Sequence, residues 1–200
     1  LGMWGEWKMP VTYKYMPELY SDDPEAYDES TGVLFVEADA HRDRALRLTQ
    51  FIQERGGKVW LWLPIGCVPT TFSTAHPEAM APGEVEEFWG RPKGTPCFTH
   101  PTYLAYLKAL LRELTETYPL DGLMLVRDDN GKLCECERCK AFLEDSRTSQ
   151  GAWEQYLIIY DTLRELGFDG AVGVYPYFDA YTAELESQLP ADLYIVGHGA

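Results

Sequence analysis

Apolar residues recur along the chain in two patterns that alternate with each other. One has the spacing of a helix with a single apolar face, and it covers residues 41–55, 101–118, 152–166 and 180–188. The other is a short uninterrupted apolar run, typical of a strand buried on both faces, and it covers residues 59–63, 123–126, 171–175 and 192–196. Because each run follows a helical segment, the pattern predicts parallel strands joined by helices.

Two architectures combine parallel strands and helices in this way, a doubly wound sheet and a (β/α)8 TIM barrel. The predicted strands lead into Pro64-Ile65-Gly66, Arg127-Asp128-Asp129 and Tyr175-Pro176-Tyr177, and none of these is the Gly-rich loop of a dinucleotide site. We therefore expect an α/β fold of the TIM-barrel type. With a further strand near residues 1–4, the chain supplies about five of the eight units of such a barrel. We expect one incomplete barrel domain over residues 1–200, completed by the remainder of the parent chain.

The composition of the chain limits the kinds of molecule that it is expected to bind. The 200 residues are 46% hydrophobic, which is enough for a sizeable core, and they carry a formal net charge of −15. Phosphate binding needs a basic surface, so this charge argues against a nucleic-acid partner. The apolar runs are far shorter than the ~20 residues of a membrane-spanning helix, so no membrane partner is expected. Six Trp and thirteen Tyr residues supply flat apolar faces, which pack in cores and also stack on sugars.

The run at 123–126 leads directly into acidic residues. Arg127 is followed by Asp128, Asp129 and Asn130, and active sites of parallel barrels are built at the C-terminal ends of strands. If both are partly buried, two adjacent carboxyl groups repel each other, which would raise the pKa of one of them and give the acid that glycoside hydrolysis needs. Because successive side chains of a strand point opposite ways, we expect one carboxylate to face the pocket while the other holds Arg127 or caps the next turn. Asp129 and Asp128 are therefore the candidate catalytic residues. The alternative interpretation is a plain Asp-Asp-Asn-Gly turn in which Arg127 pairs with Asp128.

Other polar and aromatic side chains lie near predicted strand ends, where they are candidates for binding substrate. Glu6 is a candidate second carboxylate at the end of the first strand, and His198 lies between two glycines that allow close approach to a ligand. Each of these side chains has packing as its alternative role. The full set of candidate substrate-binding residues is Glu6, Trp7, Trp62, Arg127, Tyr175, Tyr177 and His198.

Three of the five cysteines, Cys134, Cys136 and Cys139, follow the acidic segment closely, and we expect residues 134–139 to form a loop. Zinc takes four thiolate or imidazole ligands, and Cys97 is the preferred fourth because it lies just before the helix that leads into this strand. Cys67 and His100 are alternatives for that ligand. A disulfide between Cys97 and one of the three, or free thiols, also fits the spacing. Four protein ligands would make the zinc structural, whereas three ligands and a water would make it catalytic.

A family resemblance follows from the order of several segments. Trp7-Lys8-Met9-Pro10 and Tyr15-Met16-Pro17-Glu18-Leu19 precede a helix and a strand that reaches Pro64. Later, His100-Pro101 opens a helix that leads through Leu120-Asp121-Gly122 to the strand with two acids. Over residues 1–180 this order resembles family 20 glycoside hydrolases, the β-N-acetylhexosaminidases. Asp129-Asn130 and the segment 134–139 resemble an uncharacterised bacterial relative of that family.

The resemblance implies a TIM barrel that hydrolyses glycosidic bonds. In that family the strand ends in Asp and then Glu, where the Glu protonates the leaving oxygen and the Asp orients the acetamido group of the substrate. Here Asp128 and Asp129 match those positions, so the resemblance implies that Asp129 is the general acid, with a side chain one methylene shorter. Two other functions stay open, a barrel that binds carbohydrate without cleaving it and a zinc-dependent hydrolase that uses the cysteine segment.

Overall fold

The computed structural model describes residues 11–23, 25, 27–28, 33–66, 68–82, 86–88, 91–93, 95–127, 133–176 and 182–197. Within them the helices are α1 (Ala38–Gln53), α2 (Thr70–Ala75), α3 (Pro101–Thr117), α4 (Glu137–Glu144), α5 (Gly151–Glu165) and α6 (Ala183–Glu186). The strands are β1 (Tyr27–Asp28), β2 (Val33–Leu34), β3 (Trp60–Ile65), β4 (Glu86–Phe88), β5 (Arg91–Lys93), β6 (Gly122–Arg127), β7 (Ala171–Tyr175) and β8 (Leu193–Ile195). None of the described helices combines the length and apolar character needed to cross a membrane.

A parallel sheet of four strands, in the order β3-β6-β7-β8, forms the centre of the described fold. Helices lie between successive strands of this sheet along the chain, so the predicted alternation of helix and parallel strand is confirmed. Strands β1 and β2 form a separate antiparallel pair, and β4 and β5 form another. The fold is therefore mixed α/β with a parallel central sheet.

One face of this sheet carries the hydrophobic core. Leu63, Leu125 and Val174 lie in register on adjacent strands, and each is at most 8% exposed. They belong to one core cluster with side chains of α3 and α5, including Tyr106, Leu111, Trp153 and Ile159. Burying each large apolar side chain contributes roughly 1.5–3 kcal/mol, so the sheet is held to its helices mainly through this face.

The opposite face of the sheet is partly open and aromatic. Side chains alternate between the two faces of a strand, and here Trp60 and Trp62 on β3 are 38% and 37% exposed. Tyr194 on β8 is 58% exposed. A Cβ added to Gly122 would lie 2.6 Å from the Trp60 ring, and one added to Gly173 would lie 3.3 Å from it. These two glycines therefore leave the space in which the Trp60 ring lies across β6 and β7.

Strand β3 differs from its predicted bounds. The sequence predicts a strand over 59–63, whereas β3 runs from Trp60 to Ile65 and includes Pro64. Among the described strands β3 is paired with β6 alone. Proline lacks a backbone N–H and is tolerated on such an edge strand, so Pro64 does not end it.

Asp121 joins three segments at the N-terminal edge of the sheet. Its carboxylate accepts hydrogen bonds from Lys58 Nζ at 2.7 Å, Gln53 Nε2 at 3.0 Å and the Val59 backbone N–H at 2.9 Å. The Lys58 ammonium contributes most, followed by Gln53 and Val59, and together they lower the pKa of Asp121 to about 2. The end of α1 and the starts of β3 and β6 are thus fastened together by one side chain.

The N-terminal region is described over 11–23. It contains one short 3-10 helix, Pro17–Leu19, and Leu19 is fully buried. Glu113 on α3 is 4% exposed, and its carboxylate accepts hydrogen bonds from the Thr12 backbone N–H at 2.5 Å, the Thr12 hydroxyl at 2.8 Å and the Lys14 backbone N–H at 2.8 Å. This segment is therefore held against α3 by a buried carboxylate.

Candidate functional site

Two of the predicted substrate-binding aromatics come together on the open face of the sheet. The ring centroids of Trp62 and Tyr175 are 5.3 Å apart, and the rings are tilted by 50°. Tyr175 ends β7, as predicted. Trp62 is not at a strand end, because β3 continues to Ile65. The two rings form one apolar surface that extends from the middle of the sheet toward its C-terminal edge.

Arg127 ends β6 and is 8% exposed. It is in register with Ile65, and strand alternation gives it the same parity as Leu123 and Leu125 on the core face. Trp62 and Tyr175 have the opposite parity. The Arg127 side chain therefore leaves its strand on the face of the sheet opposite the aromatic pair. Its role in binding substrate stays a prediction.

Several predicted site residues lie outside the described residues. The proposed acids Asp128 and Asp129 are among them, and so is the alternative zinc ligand Cys67. Their predicted roles stay predictions. The others are Glu6, Trp7, Tyr177 and His198, together with the strand expected near residues 1–4.

The four cysteines predicted as metal ligands form a cluster. The Sγ atoms of Cys97, Cys134, Cys136 and Cys139 all lie within 4.8 Å of one another. Cys97 Sγ is 3.5 Å from Cys139 Sγ and 3.7 Å from Cys136 Sγ. All four thiols are free, and these separations far exceed the ~2.05 Å of a disulfide bond. The predicted proximity of Cys97 to the three later cysteines is therefore confirmed. Their role as zinc ligands stays a prediction.

Two separate segments build this cluster. Cys97 lies between the Met80–Pro96 bridge and α3, and its backbone N–H donates to the Ala79 carbonyl at 2.8 Å. Cys136 is the N-cap residue of α4, and Cys139 lies in the first turn of that helix. The sequence predicts a loop over 134–139, so α4 is a correction. The helix has a short apolar face that the close cysteine spacing conceals.

Burial sets most of the chemistry of these thiols. Cys97, Cys134 and Cys139 are at most 4% exposed, whereas Cys136 is half-buried. Burial raises the pKa of Cys139 to about 11 and also raises the pKa of Cys134. Burial opposes ionisation of Cys136 as well, but the Cys139 backbone N–H and the neighbouring thiols donate to its sulfur and bring its pKa to about 7. A bound divalent cation would remove the proton from every one of these ligands.

His100, the alternative ligand, has a different local role. Its Nδ1 accepts a hydrogen bond from the Thr102 backbone N–H at 3.3 Å, and it caps the N-terminus of α3. Thr99 is a neighbour of the cluster that sequence reasoning missed. Its hydroxyl oxygen lies 3.2 Å from Cys139 Sγ. No signal in the sequence distinguishes Thr99, because threonines occur near cysteines in many settings.

Comparison with known proteins bears on the fold. No family model matches the chain, and no curated protein matches it in sequence. The structure is similar to an inactive mutant of the GH20 exo-β-N-acetylglucosaminidase from Vibrio harveyi, with a TM-score of 0.52 and 14% identity over 74% of this chain. The same enzyme in complex with N-acetylglucosamine gives a TM-score of 0.50 and 16% identity over 74% of this chain. The described part of the chain has a glycoside-hydrolase-like fold.

The match covers a limited part of the larger proteins. This chain spans 24% of the length of the Vibrio harveyi enzyme. A further similarity, to α-L-fucosidase isoenzyme 2 from Paenibacillus thiaminolyticus, has a TM-score of 0.43 and 18% identity over 67% of this chain and 22% of that one.

Proposed function

We propose that this chain is part of a (β/α)8 barrel of the glycoside-hydrolase type and that the barrel acts on carbohydrate. The observation that carries the proposal is the parallel sheet with helices packed on one face and exposed aromatic side chains on the other. Parallel sheets are normally covered on both faces. In a TIM barrel the helices lie outside, and the inner face is closed by further strands.

The open face has the properties of a barrel interior. Trp60 and Tyr194 make an edge-on contact with ring centroids 6.2 Å apart. Trp62 contacts Tyr175 nearer the C-terminal edge of the sheet, so the four rings share the open face. Barrel interiors are filled by side chains that point inward from the strands, in layers contributed by alternate strands. In this proposal the remainder of the parent chain supplies the strands that cover these rings.

The proposed chemistry is hydrolysis of a glycosidic bond at the C-terminal edge of the strands. Asp129 protonates the leaving oxygen, and Asp128 is the neighbouring carboxylate that helps to keep that proton in place. Trp62 and Tyr175 offer the apolar surface on which a sugar ring stacks. The further proposed substrate contacts are Glu6, Trp7, Arg127, Tyr177 and His198.

We also propose that the cysteine cluster, Cys97, Cys134, Cys136 and Cys139, binds a structural zinc ion. Zn–S bonds of about 2.3 Å in a tetrahedron place sulfur atoms about 3.8 Å apart, and the separations of 3.5 and 3.7 Å around Cys97 Sγ fit that spacing. Four protein ligands leave no position for a water, which disfavours a zinc-dependent hydrolase. The ion would tie the segment before α3 to the segment after β6.

The proposed general acid is tested by replacing Asp129 with Asn, which keeps the shape of the side chain and removes its acidity. On the aryl glycoside that the parent protein hydrolyses best, we expect the variant to lose about 10²–10⁴-fold in kcat/KM. Asp145→Asn, at an exposed acid after α4, is the matched control and should retain parent activity. An Asp129→Asn variant as active as the parent protein would exclude Asp129 as the acid.

A further inference from the structure

The Thr99 side chain lies against the cysteine cluster without being one of its four ligands. Its Oγ1 is 3.2 Å from Cys139 Sγ and 3.6 Å from Cys97 Sγ. Cys139 is 0% exposed and Cys97 is 4% exposed. Water therefore has little access to these two sulfur atoms, and their charge has to be compensated by groups of the protein.

The negative charge of a zinc-loaded cluster would need compensation by the surrounding protein. A divalent zinc ion with four thiolates has a net charge of about −2. The flanking exposed side chains do not supply that compensation, because Glu137 pairs with Lys140 at 2.9 Å and Glu135 and Arg138 have opposite charges. Hydrogen-bond donors already reach part of the cluster, because the backbone N–H of Cys139 donates to Cys136 and that of Cys136 donates to Cys134.

The Thr99 hydroxyl lies beside the Cys139 sulfur, where it can donate a hydrogen bond as the backbone N–H groups do to Cys136 and Cys134. A thiolate bound to a metal has no proton, so between Thr99 Oγ1 and Cys139 Sγ the hydroxyl must be the donor. We propose that Thr99 donates its hydroxyl hydrogen to the Cys139 thiolate of the zinc-loaded cluster and thereby determines how tightly the cluster retains its metal. This inference rests on the proposed zinc site. Partners of metal ligands that lie outside the coordination sphere typically change metal affinity about 10–100-fold.

The test compares Thr99→Val, which keeps the shape of the side chain and removes the hydroxyl, with Thr99→Ser, which keeps the hydroxyl. In the intact protein we expect Thr99→Val to release zinc to a chromogenic chelator about tenfold faster than the parent protein. Thr99→Ser should release zinc at close to the parent rate. Thr115→Val, at a half-buried threonine of α3 whose hydroxyl donates to the Leu111 carbonyl at 2.9 Å, is the matched control and should also release zinc at the parent rate.

Cobalt substitution separates a direct effect on sulfur from a general loss of structure. A hydrogen bond lowers the energy of a sulfur lone pair, so losing it should move the thiolate-to-cobalt charge-transfer band of Thr99→Val to longer wavelength. Thr99→Ser should keep the parent spectrum. The inference is overturned if zinc binds but Thr99→Val matches the parent in both measurements, or if Thr99→Ser behaves like Thr99→Val. A parent protein that binds no zinc would instead overturn the proposed metal site, and this inference with it.

Discussion

Cys97 and the three later cysteines come from stretches of chain separated by α3 and β6, yet their sulfur atoms meet within 4.8 Å. Three of these thiols are buried, and burial opposes the ionisation of Cys134 and Cys139. Four neighbouring thiols that keep their protons contribute little beyond ordinary apolar packing. The proposed zinc ion would explain the arrangement, because it would bind the four sulfur atoms as thiolates at about the spacing that they already have.

Replacing Cys97 with Ser should therefore remove zinc from the protein. We expect zinc affinity to fall by more than the ~10–100-fold typical of losing a partner outside the coordination sphere, since one of the four ligands is lost. Metal content after dialysis against a weak chelator measures this. Cys67→Ser is the control and should retain the parent zinc content. Zinc retained by Cys97→Ser, or lost from Cys67→Ser, would show that the ligand set is wrong.

Asp121 gives a prediction about pH. Its folded-state pKa of about 2 lies below the ordinary value of 3.8, so between those values the folded protein binds fewer protons than the unfolded chain. The stabilisation from this carboxylate is then present above about pH 4 and is lost as the pH falls toward 2.

We expect Asp121→Asn to lower the urea midpoint of unfolding at pH 6 and to differ progressively less from the parent protein as the pH falls through 3. The Asn side chain loses the attraction to Lys58 and is a weaker acceptor for the Val59 N–H. Asp39→Asn, at an exposed aspartate paired with Arg42, should have little effect at either pH. A difference between Asp121→Asn and the parent that does not change with pH would contradict this account.

Among the secondary-structure elements, helix α3 has two structural roles. Its apolar face packs into the core, and its buried Glu113 holds the segment 11–14 through three hydrogen bonds. Charged acceptors make strong hydrogen bonds, and leaving buried donors unpaired is costly. Exposed Glu116 on the same helix adds contacts to Lys14 and Tyr15, but Glu113 is the buried carboxylate that satisfies backbone donors of this segment.

Glu113→Gln should lower the free energy of unfolding by about 1–3 kcal/mol, because the amide replaces one of the two carboxylate oxygens by a donor that faces other donors. Glu144→Gln is the control, because Glu144 is an exposed acid at the end of α4, and it should change stability little. Chemical denaturation of the two variants measures the difference. Equal effects of the two substitutions would contradict the proposed attachment.

A helix or strand can be predicted from the sequence when residues within that segment determine it. Strand β7 has its predicted bounds, and α3 ends one residue before its predicted end. The long apolar pattern that follows Pro101 specifies α3 locally. Helix α4 was missed because its eight residues begin among cysteines that sequence reasoning assigned to a loop. The end of β3 was placed too early because proline usually ends a strand, whereas an edge position tolerates it.

The candidate site was predictable to a similar degree. The place of Cys97 just before the helix that leads into β6 predicts that it joins the three later cysteines, and the structure confirms the cluster. Thr99 could not be ranked from the sequence, because a threonine near a cysteine has no distinguishing spacing. The parity of Arg127 depends on the register of β6 against β3, which the apolar run alone does not determine.

At the scale of the whole molecule, the asymmetry of the sheet is the feature that calls for explanation. One face is buried under helices, and the other exposes Trp60, Trp62 and Tyr194. Exposed aromatic patches of this kind mark surfaces that something covers. The proposed barrel explains the patch, because the strands that close it would bury these rings in the interior.

Trp60→Ala in the intact parent protein tests that closure. A tryptophan buried inside a barrel costs about 3–5 kcal/mol when truncated to alanine, whereas an exposed side chain typically costs within about 0.5 kcal/mol. Phe51→Ala, at a 52% exposed aromatic on α1, is the control and should fall in the second range. A Trp60→Ala cost no larger than that of Phe51→Ala would mean that no further strands cover this face.

The claim that the protein acts on carbohydrate is tested most directly by incubating the intact, zinc-loaded parent protein with a panel of aryl glycosides that includes N-acetylhexosaminides and uronides. The account predicts release of the aryl alcohol from at least one member of the panel, at a rate proportional to protein concentration. Sugar binding without turnover on any member would contradict hydrolysis and favour a carbohydrate-binding barrel. Neither binding nor turnover from a folded protein would contradict the carbohydrate function itself.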